Sequence, residues 1–423
     1  MKKKIEKTFD ELWPICRSIT GKGYQTSLDI LSRINSFKKI NFNSGSKIFD
    51  WKVPDEWNIK DAYIKYKGKK IIDFKKNNLH VVGYSMPVKK KLDFKNLKNN
   101  LFFLKKQPTA IPYLTSYYKK TWGFCLKFNQ YKKLNPQGVY EVVIDSSFKN
   151  GKLTVGESYF LGNSPKEIMF SSYLCHPSMA NNELSGPLVL TFLASEFRKK
   201  FKYTRYSYRF VILPETVGSI AYLSRYWKVL KKNLIAGYHL SCIGDAAPYT
   251  FKQSRKENSL ADKAGINFVK NFKNSSIIKF NPAIGSDERQ YCSPGIDLPF
   301  CSFSRSIYAK YSEYHTSLDN KSLISFEKIQ ETINDLLNLI FNFENNYVYK
   351  NKFNKGEPFL SKRNLFRTLS IKNRDLEDLS IWWLLNYSDG KHDLFDISEK
   401  SGLKMNSLIK TAKILEQSGL LQK

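Results

Sequence analysis

From Lys166 onward the chain alternates between two textures. Ile168 to Tyr173, Tyr206 to Leu213 and Leu234 to Leu240 are short, largely apolar runs, the pattern of strands buried on both faces. Between them, Leu188 to Phe197 and Ser219 to Leu230 repeat apolar residues at the three-to-four-residue period of a helix. Strands that alternate with helices bury both kinds of element as a helix-covered, mostly parallel sheet. The expected fold class is therefore α/β. In such sheets the ligand crevice lies beyond the carboxyl ends of the strands.

The chain has 423 residues, of which 42% are hydrophobic, so it can bury a large core in more than one domain. Residues 1–50 read as helix followed by loop. Residues 51–145 are rich in Tyr, Phe, Trp and Val, with short runs such as Ala62 to Tyr66 and Ile71 to Phe74 around a Lys67-Gly68 turn. That is the texture of a small β domain. Pro108 and Pro112 punctuate a loop within it. Residues 146–347 carry the α/β pattern. After Tyr347 a polar linker leads to three short helices, Leu376 to Leu385, Leu394 to Ser401 and Met405 to Gly419, broken at Asp389-Gly390 and Ser401-Gly402. Residues 348–423 thus read as a winged-helix or helix-turn-helix unit.

The formal net charge is +31, from 69 Lys and Arg against 38 Asp and Glu. The lysines scatter along the whole chain, which fits solvated faces better than a polyanion-binding tail. The runs Lys2 to Lys4 and Lys89 to Lys91 are too short for such a tail. The six cysteines form no CxxC pair, which argues against a thiolate zinc site and for reduced thiols. Asp10 and Glu11 interrupt the N-terminal segment, and no apolar run approaches the ~20 residues of a membrane span. The expectation is a cytoplasmic protein without membrane contact.

Histidine is scarce: His80, His176, His239, His315 and His392 are all there are. His176 follows the apolar run ending at Tyr173 and precedes a polar loop and a helix, which sets an imidazole at a strand-end crevice. Glu215 follows Phe210 to Leu213 and precedes the next helix, a position suited to base work or to a helix cap. Gly285 to Tyr291 concentrates Ser286, Asp287, Glu288 and Arg289 and suits a metal, a substrate amine or an ion-paired turn. His315 lies in Glu313 to Asp319, where Asp319 or Glu313 could accept from its second nitrogen.

Cys175 to Gly186, Pro214 to Ser219, Gly285 to Tyr291 and Tyr314 to Asp319 resemble, in that order, a bacterial aminopeptidase-like family labelled DUF4910, which often lies in surface-polysaccharide gene clusters. Leu12 to Gly21, Phe49 to Pro54 and the tail are similar to it as well, and the M28 zinc aminopeptidases are its more distant relatives. The resemblance implies an M28 aminopeptidase-like helix-covered mixed sheet, formed by residues 1–50 and 146–347, with a small inserted β domain and a C-terminal winged helix. It implies that His176 and His315 are metal ligands and that Glu215 is the general base. Three acids of the two-zinc M28 pattern are absent: that neighbourhood reads Asn181-Asn182-Glu183, the second acid of the Glu-Glu pair is Thr216, and a further Asp falls near Ser241. Two zinc ions need several carboxylates to offset their charge. One zinc is therefore expected, held by His176, His315 and a carboxylate, for which Glu183 is chosen over Asp287, Asp245 or water.

The expected function is zinc-dependent hydrolysis of an amide, in a peptide or an N-acyl sugar, with Glu215 as base and Asp287 or Glu288 anchoring a substrate ammonium group. The alternative is a non-catalytic regulator that uses the winged helix, with Lys404, Asn406, Ser407, Lys410 and Lys413 facing DNA or a protein. Nucleic acid is the weaker partner expectation, and assembly into a homo-oligomer is left open.

Overall fold

The computed structural model describes residues 1–117, 119–365 and 376–423. An eight-stranded mixed sheet forms its centre. In chain order the strands are β1 (Lys38–Asn43), β2 (Lys152–Phe160), β3 (Glu167–Tyr173), β4 (Ser207–Leu213), β5 (Leu234–Leu240), β6 (Thr250–Lys252), β7 (Ser276–Ile278) and β8 (Phe300–Ser304). Their spatial order is β1-β2-β4-β3-β5-β8-β6-β7. The inner strands β4, β3, β5 and β8 run parallel, whereas β1 and β2 join antiparallel at one edge.

Every residue of β3 and β4 is buried. Successive side chains point to opposite faces of a strand. Ile168 and Phe170 accordingly join a core with Leu188, Phe192, Tyr238 and Leu336, while Met169 joins another with Val211, Ala221 and Phe300. The helices Ser185–Lys200 and Phe326–Asn345 cover the first face, and Val217–Asn233 covers the second. Each fully buried Leu or Phe here contributes roughly 1.5–3 kcal/mol.

The architecture is the mixed, helix-covered sheet that the resemblance implies, with smaller sheets and a C-terminal helical unit beside it. A four-stranded antiparallel sheet, formed by Glu56–Tyr66, Lys69–Asp73, Val88–Asp93 and Val139–Lys149, occupies the segment read as a small β domain. The tail holds helices Leu376–Tyr387, Leu394–Ser401 and Met405–Gln417.

Two local readings need correction. Residues 38–43, read as loop, are edge strand β1, with Ile40 and Phe42 buried against β2. The start of the presumed linker, Val348–Asn351, is the central strand of a three-stranded sheet flanked by Asp389–Asp393 and Leu421–Gln422. Residues 366–375 of that linker lie outside the described residues.

Candidate active site

The carboxyl ends of β3, β4 and β5 open onto one crevice, and the chain turns sharply there. Ser178, Thr216, Cys242 and His315 all have positive φ, 48°, 61°, 49° and 54°. Such conformations cost non-glycine residues of order 1–3 kcal/mol each and persist only where their surroundings impose them.

After β3 the chain runs through Cys175 and His176 into a wide helical turn, Ala180–Leu184, and then into the helix Ser185–Lys200. Two features fix this approach. A Cβ on Gly186 would come within 2.4 Å of the Leu240 carbonyl oxygen, so only glycine lets the helix start press onto the sheet. Asp319 accepts from the backbone amides of Ala180 (3.0 Å), Asn181 (2.6 Å) and Asn182 (2.8 Å), and from the Tyr311 hydroxyl (3.2 Å). These are amides that a helix start leaves without intrahelical partners.

The His176 and His315 rings lie 5.6 Å apart, centroid to centroid. His176 Nδ1 donates to Glu183 Oε2 at 2.6 Å, and the other Glu183 oxygen accepts from the Cys175 amide. In the neutral ring that bond leaves the lone pair on His176 Nε2, which lies 3.4 Å from Glu215 Oε2. Ser286 Oγ donates to the other oxygen, Glu215 Oε1, at 2.6 Å. Burial opposes the charge of His176, but the Glu183 carboxylate at Nδ1 outweighs it and lifts the imidazole above its usual range. His315 behaves oppositely: burial and the neighbouring His176 push it down to about 3.

Donor distances sort the carboxylates. Two donors on one tetrahedral zinc, each ~2.0–2.1 Å from it, sit ~3.3 Å apart. The Glu183–Nδ1 separation is shorter and is a hydrogen bond. Cys175, His176 and Glu183 do bring donor atoms within 4.8 Å of one another, but burial pushes the Cys175 thiol up to about 11 and keeps it neutral. Glu183 thus sits behind His176 Nδ1 as a hydrogen-bond acceptor.

The other acids are committed elsewhere. Asp287 is fully buried, and its Oδ1 accepts from Thr216 N (2.7 Å) and Ser219 Oγ (2.8 Å). It fixes the strained turn that carries Glu215 and cannot reach a substrate ammonium group. Glu288 is buried in an ion pair with Lys252 at 2.8 Å, so it too is no anchor for substrate. Asp245 accepts from Asn181 Nδ2 (2.7 Å) and Ala247 N (2.9 Å). Asp319 serves backbone amides and Glu313 accepts from Ser312, so neither takes the expected place on His315. Glu215, with a side chain 29% exposed, is the carboxylate of this group left open to a ligand.

Sequence reasoning missed the tyrosines. Tyr113, from the segment of the small β domain, packs its ring 4.8 Å from His176 and 5.2 Å from His315. Tyr314 stacks on His315 at 3.9 Å. Nothing local to Tyr113 marks it; only the long-range pairing of Ile111, Pro112 and Tyr113 with Ser317, Thr316 and His315 brings it in.

Donor chemistry provides the test of a metal site. Two imidazoles, one with an acceptor behind it, suit a zinc ion, and the Glu215 carboxylate stands open beside them. The loci of the missing acids hold the neutral groups Asn182, Thr216 and Ser241. Asn182 Oδ1 and Ser241 Oγ are buried without partners.

Sheet order and crevice define a class: the aminopeptidase-like α/β fold. Solved structures of that class match most of the chain. The zinc aminopeptidase BSAP from Bacillus subtilis superposes with a TM-score of 0.59 at 14% identity, covering 81% of this chain and 93% of that one. A peptidase M28 precursor from Shewanella amazonensis gives 0.56 at 11%, covering 80% and 91%. At these identities the likeness is one of fold. More specifically, the chain belongs to the family described as "Domain of unknown function (DUF4910)", matched over residues 6–346, and a winged helix-turn-helix family matches residues 347–423. A Clostridium acetobutylicum protein, provisionally described as a polysaccharide biosynthesis protein with an aminopeptidase-like domain, is 42% identical over 421 residues, 99% of this chain and 96% of its own. A crystal structure of a protein from the same organism, provisionally titled a peptidase, superposes with a TM-score of 0.92 at 41% identity, covering 100% of this chain and 96% of that one.

Proposed function

We propose that this protein is a metal-dependent hydrolase of amide bonds, acting on a peptide or an N-acylated sugar. The observation that carries the reading is the proximity of the His176 and His315 rings, 5.6 Å apart, with Glu215 Oε2 3.4 Å from His176 Nε2. His176 Nε2 and the His315 ring would hold a single zinc, which when bound polarises a carbonyl and makes water acidic near neutral pH. Glu183 orients the first imidazole and keeps its proton on Nδ1. Glu215 Oε2 takes the proton of the attacking water and returns it to the departing amine, while Ser286 holds Oε1. Tyr113 and Tyr314 shield the imidazoles from solvent and strengthen charge interactions there.

The test is metal analysis of the purified chain, followed by a panel of aminoacyl and N-acyl-sugar amides. Glu215→Gln should lower kcat about 10²–10⁴-fold, the span of general-base contributions, while zinc content stays at one per chain. Equal turnover by wild type and variant would remove Glu215 from the chemistry.

The regulatory reading has less support. The winged helix rests its Met405–Gln417 helix against the catalytic unit, where Lys404, Met405 and Asn406 share a cavity wall with Phe268, Asp335 and Leu339. Of the residues proposed for DNA contact, Lys404 and Asn406 thus border this junction, whereas Lys410 and Lys413 stay exposed to solvent. Among the described residues no helix is long and apolar enough to cross a membrane. With reduced cysteines, this supports a cytoplasmic setting.

A further inference from the structure

A cavity of about 770 Å³ lies between the N-terminal segment and the four-stranded sheet, and none of His176, Glu215 and His315 lines it. Its floor is the start of the helix Lys22–Ser32. That start has Gly21 as N-cap, no side-chain cap and no acidic residue in its first turn. The Lys22 amide donates to Asn58 Oδ1 at 2.8 Å, but no acidic side chain offsets the positive end of the helix dipole, and Lys22 at the first position adds to its charge. Ser18, which lines the cavity, is 3% exposed, and its hydroxyl has no partner. A buried hydroxyl without a partner costs about 1–3 kcal/mol unless something satisfies it. Lys60 and Lys149 stand on the opposite wall. Glu56 pairs with Lys149 at 3.3 Å, whereas Lys22 and Lys60 have no acidic partner among the described residues. Ile15, Ile59 and Phe74 supply an apolar side.

We infer that this cavity is a binding site for a small organic anion, a phosphate or carboxylate on a ring-sized body, separate from the candidate catalytic crevice. The anionic group sits at the helix start among Ser18, Lys22 and Lys60, and the body lies against Ile59 and Phe74. The volume is in the range of small-ligand sites, ~300–1,000 Å³. Only the segment 14–18 separates the two sites. Arg17 Nε donates to the His176 carbonyl at 3.2 Å, and Asn78 Nδ2 bridges the Pro14 carbonyl (3.2 Å) and Ser178 Oγ (3.1 Å).

The inference does not depend on the hydrolase reading and is tested by binding alone. Calorimetric titrations of the full-length, metal-stripped chain would use phenyl phosphate, benzoate, inorganic phosphate and neutral phenol. Phenyl phosphate or benzoate should bind and phenol should not. The tighter of the two anions identifies the acid group. Binding should weaken about tenfold or more in Lys22→Glu/Lys60→Glu, an exposed pair whose replacement leaves the core intact, and should weaken with added salt. Ser18→Ala should weaken it further, and His176→Ala should leave it unchanged. Binding equal in wild type and the double-lysine variant, binding lost in His176→Ala, or no anion bound at millimolar concentration would each overturn the assignment.

Discussion

Glu183 shows how one side chain decides the role of another. Removing its charge while keeping its shape, as in Glu183→Gln, should lower zinc affinity about 10–100-fold, the usual effect of losing an acceptor behind a ligating imidazole. Competition with a chelating dye measures this. His315 makes a second prediction, for the metal-free chain. Its folded pKa, about 3, lies below the ~6.5 of an unfolded histidine. The unfolded state then binds the extra proton, so stability is present above pH 6.5 and is lost as pH falls from there toward 3. Allowing for the ring's partial exposure, the loss is on the order of 2 kcal/mol. His315→Gln should flatten that limb of the urea-midpoint profile between those pH values. An unchanged slope would mean that another group carries it.

At the scale of elements, Asp319 is the pin of the site. It satisfies three successive amides of the turn that carries Glu183 toward His176. Asp319→Ala would leave buried donors unpaired and should cost about 3 kcal/mol or more in urea unfolding. An effect under about 0.5 kcal/mol would show that the turn holds without it. Sequence alone placed this residue beside His315 but not against residues 180–182, because nothing in a chain states which strand-end loops face one another. The inner strands and helices were legible, since Ile168 to Tyr173 and Leu188 to Phe197 carry their periods locally. Strand β1 was not: Lys38 to Asn43 has only Ile40 and Phe42 as apolar residues, and its strand character comes from pairing with Lys152–Phe160. The same limit applied to the acids. Glu183 could be picked out as near His176, but whether its oxygens face the metal or the back of the ring depends on a backbone path that is set elsewhere.

At the scale of the whole molecule, the tail and the α/β unit share one apolar core, in which Phe343, Leu384, Leu394 and Leu408 take part. Lys263 pairs with Asp396 at 2.6 Å and Asn267 Nδ2 donates to Ser398 at 2.6 Å across the junction. Truncation after residue 346 should therefore uncover this core and yield a chain that aggregates or melts several degrees lower, read by calorimetry and light scattering. A monomeric truncation with an unchanged Tm would make the winged helix an independent module.

The segment around Tyr113 grips the His315 loop by main-chain pairing: Tyr113 N reaches the His315 carbonyl at 2.8 Å, and Ser317 N reaches Ile111 O at 2.9 Å. A roof fastened by peptide groups keeps its height whatever side chains it displays. Side chains on that roof can therefore be exchanged to change what meets a guest while the ceiling over the imidazoles stays level.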